Sequence, residues 1–398
     1  MAVVINGNGT VTGISVGGLP DGIVDSGTLA TNSVDSAELV DGAVDDSHMA
    51  SISGRKNLII NGAMNVHQRG GTTTSEEYVL DRFRLGRAGG TRTASQEVIT
   101  SGDAFDAGFR NSFRITNTTA GSTTATDYAE IQHHIESQNI ATSGWNYTDS
   151  AKDITLSFWA KSSVGQTFNL FIKNDDTGYR YTSTFTLTAN TWTRITKTLS
   201  GDSNLVLNND NGKGLLVSWQ VYQGTNWTTS TPNNDTWKAS GNPDDMTTTW
   251  NTTTGATFDL TGVQVELGST ATDFEHRSYG EELALCQRFY CKSYSEGDVA
   301  GTVTDEGKLN MYTMNISGGW WQCINIKYPV NMRTIPTVTT YSPSSGDTGK
   351  WMTQNNGGGE KSSNLSYGST IGVLVAANGQ TCISGDYWSI HYTADAEL

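Results

Sequence analysis

Six stretches between residues 154 and 266 share one rhythm: ITLSFWA (154–160), TFNLFIK (167–173), YRYTSTFTL (179–187), WTRITKT (192–198), LLVSWQVY (215–222) and FDLTGVQVE (258–266). Apolar residues return at nearly every second position, the period of a strand with one face buried. In TFNLFIK the alternation sets Phe168, Leu170 and Ile172 on one face and Asn169, Phe171 and Lys173 on the other. The next five residues, Asn174-Asp175-Asp176-Thr177-Gly178, have the chemistry of a hairpin turn between two such strands. Many short strands separated by Gly and Asn turns predict a sandwich of jelly-roll type, here over residues 55–275. Within it, residues 223–252 place Trp227, Trp237 and Trp250 among Thr and Asn and read as a long loop.

The flanks differ from this centre. Residues 1–54 hold seven acidic residues and no Lys or Arg. Residues 21–50 run as three tens, DGIVDSGTLA, TNSVDSAELV and DGAVDDSHMA, with Val24, Val34 and Val44 in the fourth place and Leu29, Leu39 and Met49 in the ninth. So few apolar side chains cannot offset the conformational entropy of ordering thirty residues. The arm is therefore expected to order only where other chains share its burial, in a symmetric oligomer or on a docking surface. Val24, Leu29, Val34, Leu39, Val44 and Met49 are its candidate oligomerisation and attachment residues.

Past the sandwich, SYGEELALCQRFYCKS (278–293) predicts a helix. Ser278 and Glu281 have the spacing of a capping box, and Leu283, Cys286 and Tyr290 share a face that Leu285 and Phe289 widen. Strand patterning then returns over 294–398 in KLNMYTMNI, WWQCINIKYPV, PTVTTYS, TIGVLVAA and DYWSIHYTA. Residues 276–398 thus read as a linking helix and a small C-terminal β-domain. The expected fold class is all-β: a short repetitive arm, a jelly-roll-like sandwich, one helix and a terminal β-domain.

A formal net charge of −15 argues against nucleic acid, whose binding rests on neutralised phosphates, and against an anionic membrane surface. No run of eighteen apolar residues is present to insert into a bilayer. The opening MAVVINGNGTVTG has neither a basic nor an apolar signal region, so no secretory signal is expected. Cys286, Cys291, Cys323 and Cys382 form no C-x-x-C pair, and free thiols without metal or cofactor are expected.

A search for catalytic groups returns little. NDNGKGLL (209–216) lacks the phosphate-loop spacing, and no nucleophile elbow occurs. His133-His134 sits in an alternating, strand-like stretch. Glu130 and Glu136 on one strand would stand roughly 20 Å apart, too far for either glycosidase mechanism. Asp175, Asp176 and Asp210 suit turns better than calcium. The chain is expected not to be an enzyme.

What remains is a set of aromatics beside polar loops: Trp320, Trp321, Tyr341, Trp351, Tyr367 and Tyr387, with Trp388 next to the last. Sugar rings present apolar C–H faces that such rings can stack, while neighbouring Asn, Thr and Asp hydrogen-bond the hydroxyls. These six are the candidate receptor- or glycan-binding residues. The competing reading has them fill the core of a small domain.

Several stretches resemble the tail-fibre proteins of marine and cyanobacterial bacteriophages. MAVVINGNGTVTGISVGGLPDGIV with the V-D-S repeats resembles their N-termini, and NLIINGAMNVHQRG (57–70) with YVLDRFRL (78–85) the opening of their central domain. ITLSFWAKSS (154–163) and LTGVQVELGSTATDFEHRSYGEELALCQRFY (260–290) are similar to its later strands and closing helix. PVNMRTIPTVTTYSP (329–343) and WSIHYTADAEL (388–398) resemble their terminal domain. The resemblance implies a homotrimer in the virion tail, docked on other tail proteins by its arm. It further implies a central module similar to carbohydrate-binding jelly rolls and a tip that meets a host-surface glycan or outer-membrane receptor. The arm is much shorter than the shafts of many fibres, and Cys291 stands where relatives often carry an aromatic. The expected function is host recognition by a non-enzymatic fibre; the alternatives are a glycan-cleaving tailspike and a purely structural virion decoration.

Overall fold

The computed structural model describes residues 56–232, 234–312, 322–353, 359–377 and 387–398, and one strand pair near the N-terminus, β1 (Val4–Ile5) with β2 (Val11–Thr12). The chain divides into two units, Met1–Gly54 and Arg55–Leu398. Val24, Leu29, Val34, Leu39, Val44 and Met49 lie outside the described residues, as do Trp320 and Trp321.

The second unit is built on two antiparallel sheets. The larger runs, edge to edge, β13 (Trp237–Lys238), β10 (Arg180–Leu187), β9 (Gln166–Asn174), β12 (Lys213–Gln223), β7 (Tyr128–Glu136), β4 (Phe83–Ala88) and β3 (Tyr78–Leu80). The smaller runs β11 (Thr193–Ser200), β8 (Asp153–Ser162), β14 (Thr257–Leu267), β6 (Asn111–Thr119) and β5 (Thr91–Val98). Each of the six stretches read as strands lies in one of them. Phe168, Leu170 and Ile172 are buried as their alternation required, and they join Phe158, Phe185, Trp219 and Phe258 in the core. The rings lock edge to face: Phe158 on Phe185 at 5.2 Å and 80°, Phe158 on Trp219 at 5.8 Å and 81°. The hairpin turn forms as well. Thr177 N donates to Asn174 Oδ1 at 2.9 Å, and Gly178 takes a φ of 78° that a β-carbon would disfavour.

The stretch expected to be a loop carries more structure than its composition suggests. It contains β13 and the single turn α3 (Thr249–Thr252). Trp250 and Trp237 are buried, their indole N–H groups donating to Thr257 O at 3.1 Å and Ser200 O at 2.9 Å. Two of its three tryptophans thus pin the excursion to the sandwich, and Trp227 is left 47% exposed.

Among the described residues four helices form where one was expected, but α1 (Asp103–Asp106), α2 (Ser137–Ala141) and α3 are single turns. The fourth, α4 (Tyr279–Gln287), begins with the expected box: Glu281 N donates to Ser278 Oγ and Ser278 N to Glu281 Oε2 at 3.0 Å. It ends sooner than its pattern suggested. Tyr290–Lys292 leaves the helix to become β15, paired with β23 (Tyr387–Asp395), which buries Tyr290 and Cys291. Sheet pairing and burial override helical propensity there. Cys286 and Cys291 consequently enter different apolar clusters, and burial pushes the Cys291 thiol up to about 12.

β23 organises the C-terminal region. It pairs with β15, β16 (Leu309–Tyr312), β18 (Thr337–Tyr341) and β19 (Lys350–Thr353), and β19 carries β20 (Gly359–Ser362). A small sheet of β17 (Gln322–Lys327), β22 (Gly372–Ala377) and β21 (Asn364–Ser366) completes it. Its core gathers Trp351, Trp388, Ile390, Val375 and Cys291.

Buried ions join the two cores. Arg82 pairs with Glu397, donates to His134 O at 2.6 Å and lies over the Phe289 ring at 3.5 Å. Arg69, over Tyr290 at 3.9 Å, faces Asp81, Asp395 and Glu397. Among the described residues no helix is long and apolar enough to cross a membrane.

Candidate functional site

The outer face of the larger sheet is where its sequence turns polar. Cross-strand register lines up Phe171 (β9), Ser218 (β12), Gln132 (β7) and Arg84 (β4) in one row. The next row holds Asn169, Gln220, Glu130 and Gly86 on the same strands. Odd-numbered neighbours on β12, Val217 and Trp219, point into the core instead.

A bulge in β12 extends this polar surface. The register slips between Gln220 and Tyr222, so Val221 and Tyr222 both enter the core and Gln223 returns to the outer face. Strict alternation would have sent Gln223 inward.

These rows floor a cleft of about 430 Å3, walled by Tyr128, Arg180, Leu216, Asn226, Trp227, Asn242 and Pro243. Trp227 and Tyr128 meet edge to face at 6.1 Å and 78°, with the indole N–H donating to Thr126 O at 3.3 Å. Glu130 is the fixed point of the floor. Its carboxylate accepts from Ser218 Oγ at 2.7 Å, Gln132 Nε2 at 2.6 Å and Gln223 Nε2 at 3.1 Å. Burial nevertheless holds Glu130 above the usual carboxylate range, against the opposing effects of Ser218, Gln132 and Arg84. Gly86 makes the space, since a β-carbon there would meet Glu130 Cγ at 2.9 Å. Gln132 Oε1 is itself oriented by Arg84 Nη1 at 2.9 Å.

Two buried polar atoms in this cleft have no protein partner, Gln220 Oε1 and Arg180 Nε. A cleft with one exposed indole, half-buried Tyr128 and Phe171, and planar amides held in place can stack a flat apolar face and hydrogen-bond its rim.

The residues predicted from sequence lie elsewhere. Trp351 is a correction: it is fully buried against Trp388, ring to ring at 5.9 Å and 84°, and presents no face to a ligand. Tyr341 ends β18 half-buried, edge to face with Tyr294 at 6.0 Å, and lines a different cleft with Arg69, Tyr78 and Tyr290. Tyr367 is 85% exposed at a φ of 53° and borders a third cleft with Tyr328 and Ile371. Tyr387 is half-buried under Lys308 Nζ, 5.4 Å from its ring centroid. The structure gathers none of these four into one site. The acidic candidates have protein partners: Glu136 binds Arg288 at 2.6 Å, Asp175 binds Lys173 at 2.7 Å, Asp176 takes Asn208 at 2.6 Å and Asp210 takes Gly212 N at 2.8 Å. Among the described residues no three His, Cys, Asp or Glu stand together as a metal site.

Sequence reasoning missed the cleft. One signal was present: Phe171 was assigned to the polar face of TFNLFIK, an aromatic out of place on a solvated surface. Trp227 gave none, because two other tryptophans share its loop.

No family model and no curated protein matches the chain. Solved structures give weak likenesses. A CBM4 structure is similar at 16% identity over 52% of this chain and 98% of its own, with a TM-score of 0.28. A CBM61 complexed with β-1,4-galactotriose matches at 8% identity over 54% of this chain and 100% of its own, TM-score 0.26. The tandem CBM22 domain of Paenibacillus barcinonensis Xyn10C matches at 9% identity over 88% of this chain and 93% of its own, TM-score 0.27. TM-scores this low say nothing about a ligand.

Proposed function

We propose that this protein is a non-catalytic glycan-binding protein whose sugar site is the cleft on the larger sheet. The observation that carries the reading is the pairing of exposed Trp227 with the ordered floor of Glu130, Gln132, Gln220 and Gln223. The indole supplies a stacking face, and the floor supplies donors and acceptors already in position, so little side-chain entropy is lost on binding. Following the tail-fibre resemblance, the glycan would be a host-surface polysaccharide and the protein the receptor-binding fibre of a phage tail. A homotrimer docked through residues 1–54 belongs to the same proposal. Single sites of millimolar strength, about −4 kcal/mol, would then gain roughly 10²–10⁴-fold in avidity from linked copies.

The test is binding of the full chain to a glycan array and to intact bacterial cells, with Trp227→Ala alongside. Loss of both signals in the variant is the expected result. Undiminished binding in Trp227→Ala would remove the cleft from the proposal.

A further inference from the structure

Arg180 stands in the wall of the proposed sugar site, half-buried on β10. Its Nη1 donates to Gly241 O at 3.2 Å, which fixes the guanidinium plane. Among the described residues, Nε is buried without an acceptor and no hydrogen bond engages Nη2. Those two N–H groups form one edge of the fork, the edge that matches the two oxygens of a carboxylate. Several other arginines of the protein have found such partners, whereas Arg87 and Arg92, whose Nε atoms are likewise buried without an acceptor, have no carboxylate partner among the described residues but lie outside the cleft. Arg84 faces Glu76, Arg114 binds Asp259 at 2.9 Å and Arg288 binds Glu136. Arg180 has no carboxylate partner among the described residues.

Glu130, the carboxylate of the cleft floor, does not fill this place. It is engaged by Ser218, Gln132 and Gln223, and burial shifts it toward its neutral form, the direction that tolerates a second anion nearby. A partly buried cation with an idle fork costs free energy unless a ligand completes it. We infer that the cleft takes an acidic glycan, whose ring stacks on Trp227 and whose carboxylate sits on the Nε/Nη2 edge of Arg180. This rests on the glycan-binding reading and narrows it to uronic-acid polymers. The net charge of −15 opposes a polyanion at long range. Discrimination therefore comes from the local fork and survives at about 0.15 M salt, where the Debye length is about 8 Å.

The experiment is calorimetric titration of the full chain with a panel of uronate oligosaccharides, each paired with its own methyl ester. The ester keeps the ring and linkage and removes the charge. At least one acid is expected to bind roughly 10–100-fold tighter than its ester, the range of a charge-assisted bond. Arg180→Gln should bring the two within about twofold. Arg180→Lys, which keeps the charge but not the fork, should restore less than a tenth of the preference. Equal binding of acid and ester, or a preference that survives Arg180→Gln with an unchanged melting curve, would overturn the inference. So would tighter binding of a sulfated oligosaccharide than of any uronate. If Trp227→Ala abolishes binding of neutral glycans and no uronate is preferred, only this inference fails. If no glycan binds the wild-type chain, the glycan reading fails with it.

Discussion

The sandwich and the C-terminal region are both rich in aromatics, and they use them in opposite ways. The C-terminal sheets are small, and their core takes Trp351 and Trp388 completely. The sandwich has two full sheets and a core already closed by Phe158, Phe168, Phe185, Trp219 and Phe258. It can therefore leave Trp227, Tyr128 and Phe171 on its outer surface. A small domain needs its large side chains for burial, and a large one can spend them on contact. Counting aromatics finds the first kind of region and overlooks the second.

The comparison can be broken most severely at Trp351. Replacing it with Ala should destabilise the protein by about 3–5 kcal/mol, the cost of emptying a fully buried indole, read as a loss in thermal or denaturant midpoint. A near-silent Trp351→Ala would mean that the C-terminal core is not where its aromatics act. Trp227→Ala should do the reverse, leaving the melting curve in place while weakening glycan binding by roughly 1–3 kcal/mol in titration.

Gly86→Ala probes the floor. Its new methyl group meets Glu130 and should cost about 1–3 kcal/mol in stability, with sugar affinity lost in the same variant. Glu130 also gives a pH signature. Because burial raises its folded-state pKa, the native state holds the proton more tightly than the unfolded chain does. Its contribution is full below the ordinary glutamate value, ~4.3, and declines as pH rises through the folded value. Glu130→Gln should flatten that part of the stability–pH curve, and an unchanged slope would contradict the assignment. The smallest effect is expected at Tyr367, 85% exposed, where Ala should shift stability by less than about 0.5 kcal/mol. Should Tyr367→Ala abolish binding while Trp227→Ala does not, the two regions exchange functions.

Period-two patterning made the sandwich legible strand by strand, because burial of one face writes itself into every second residue. The turn at 174–178 and the capping box at Ser278 were equally readable, each being a local bargain between a few residues. The early end of α4 was not, since Tyr290–Lys292 is decided by its pairing with Thr393–Asp395 of β23, far along the chain. The cleft was hidden for the same reason. Its rows join residues from β4, β7, β9 and β12, and the bulge that turns Gln223 outward leaves no mark in the sequence. Trp351 misled because exposure is a property of the whole domain, not of its immediate neighbours.

The buried pairing of Arg82 with Glu397 has a consequence for how the molecule comes apart. Glu397 closes the C-terminal region, yet its charge is compensated inside the sandwich, beside His134. Opening either core alone would strand one of the two ions in a low-dielectric setting. Local unfolding of the C-terminal sheets is thereby made nearly as costly as global unfolding, so the sandwich and the described C-terminal strands should melt in one transition and exchange their amide protons as a single cooperative unit.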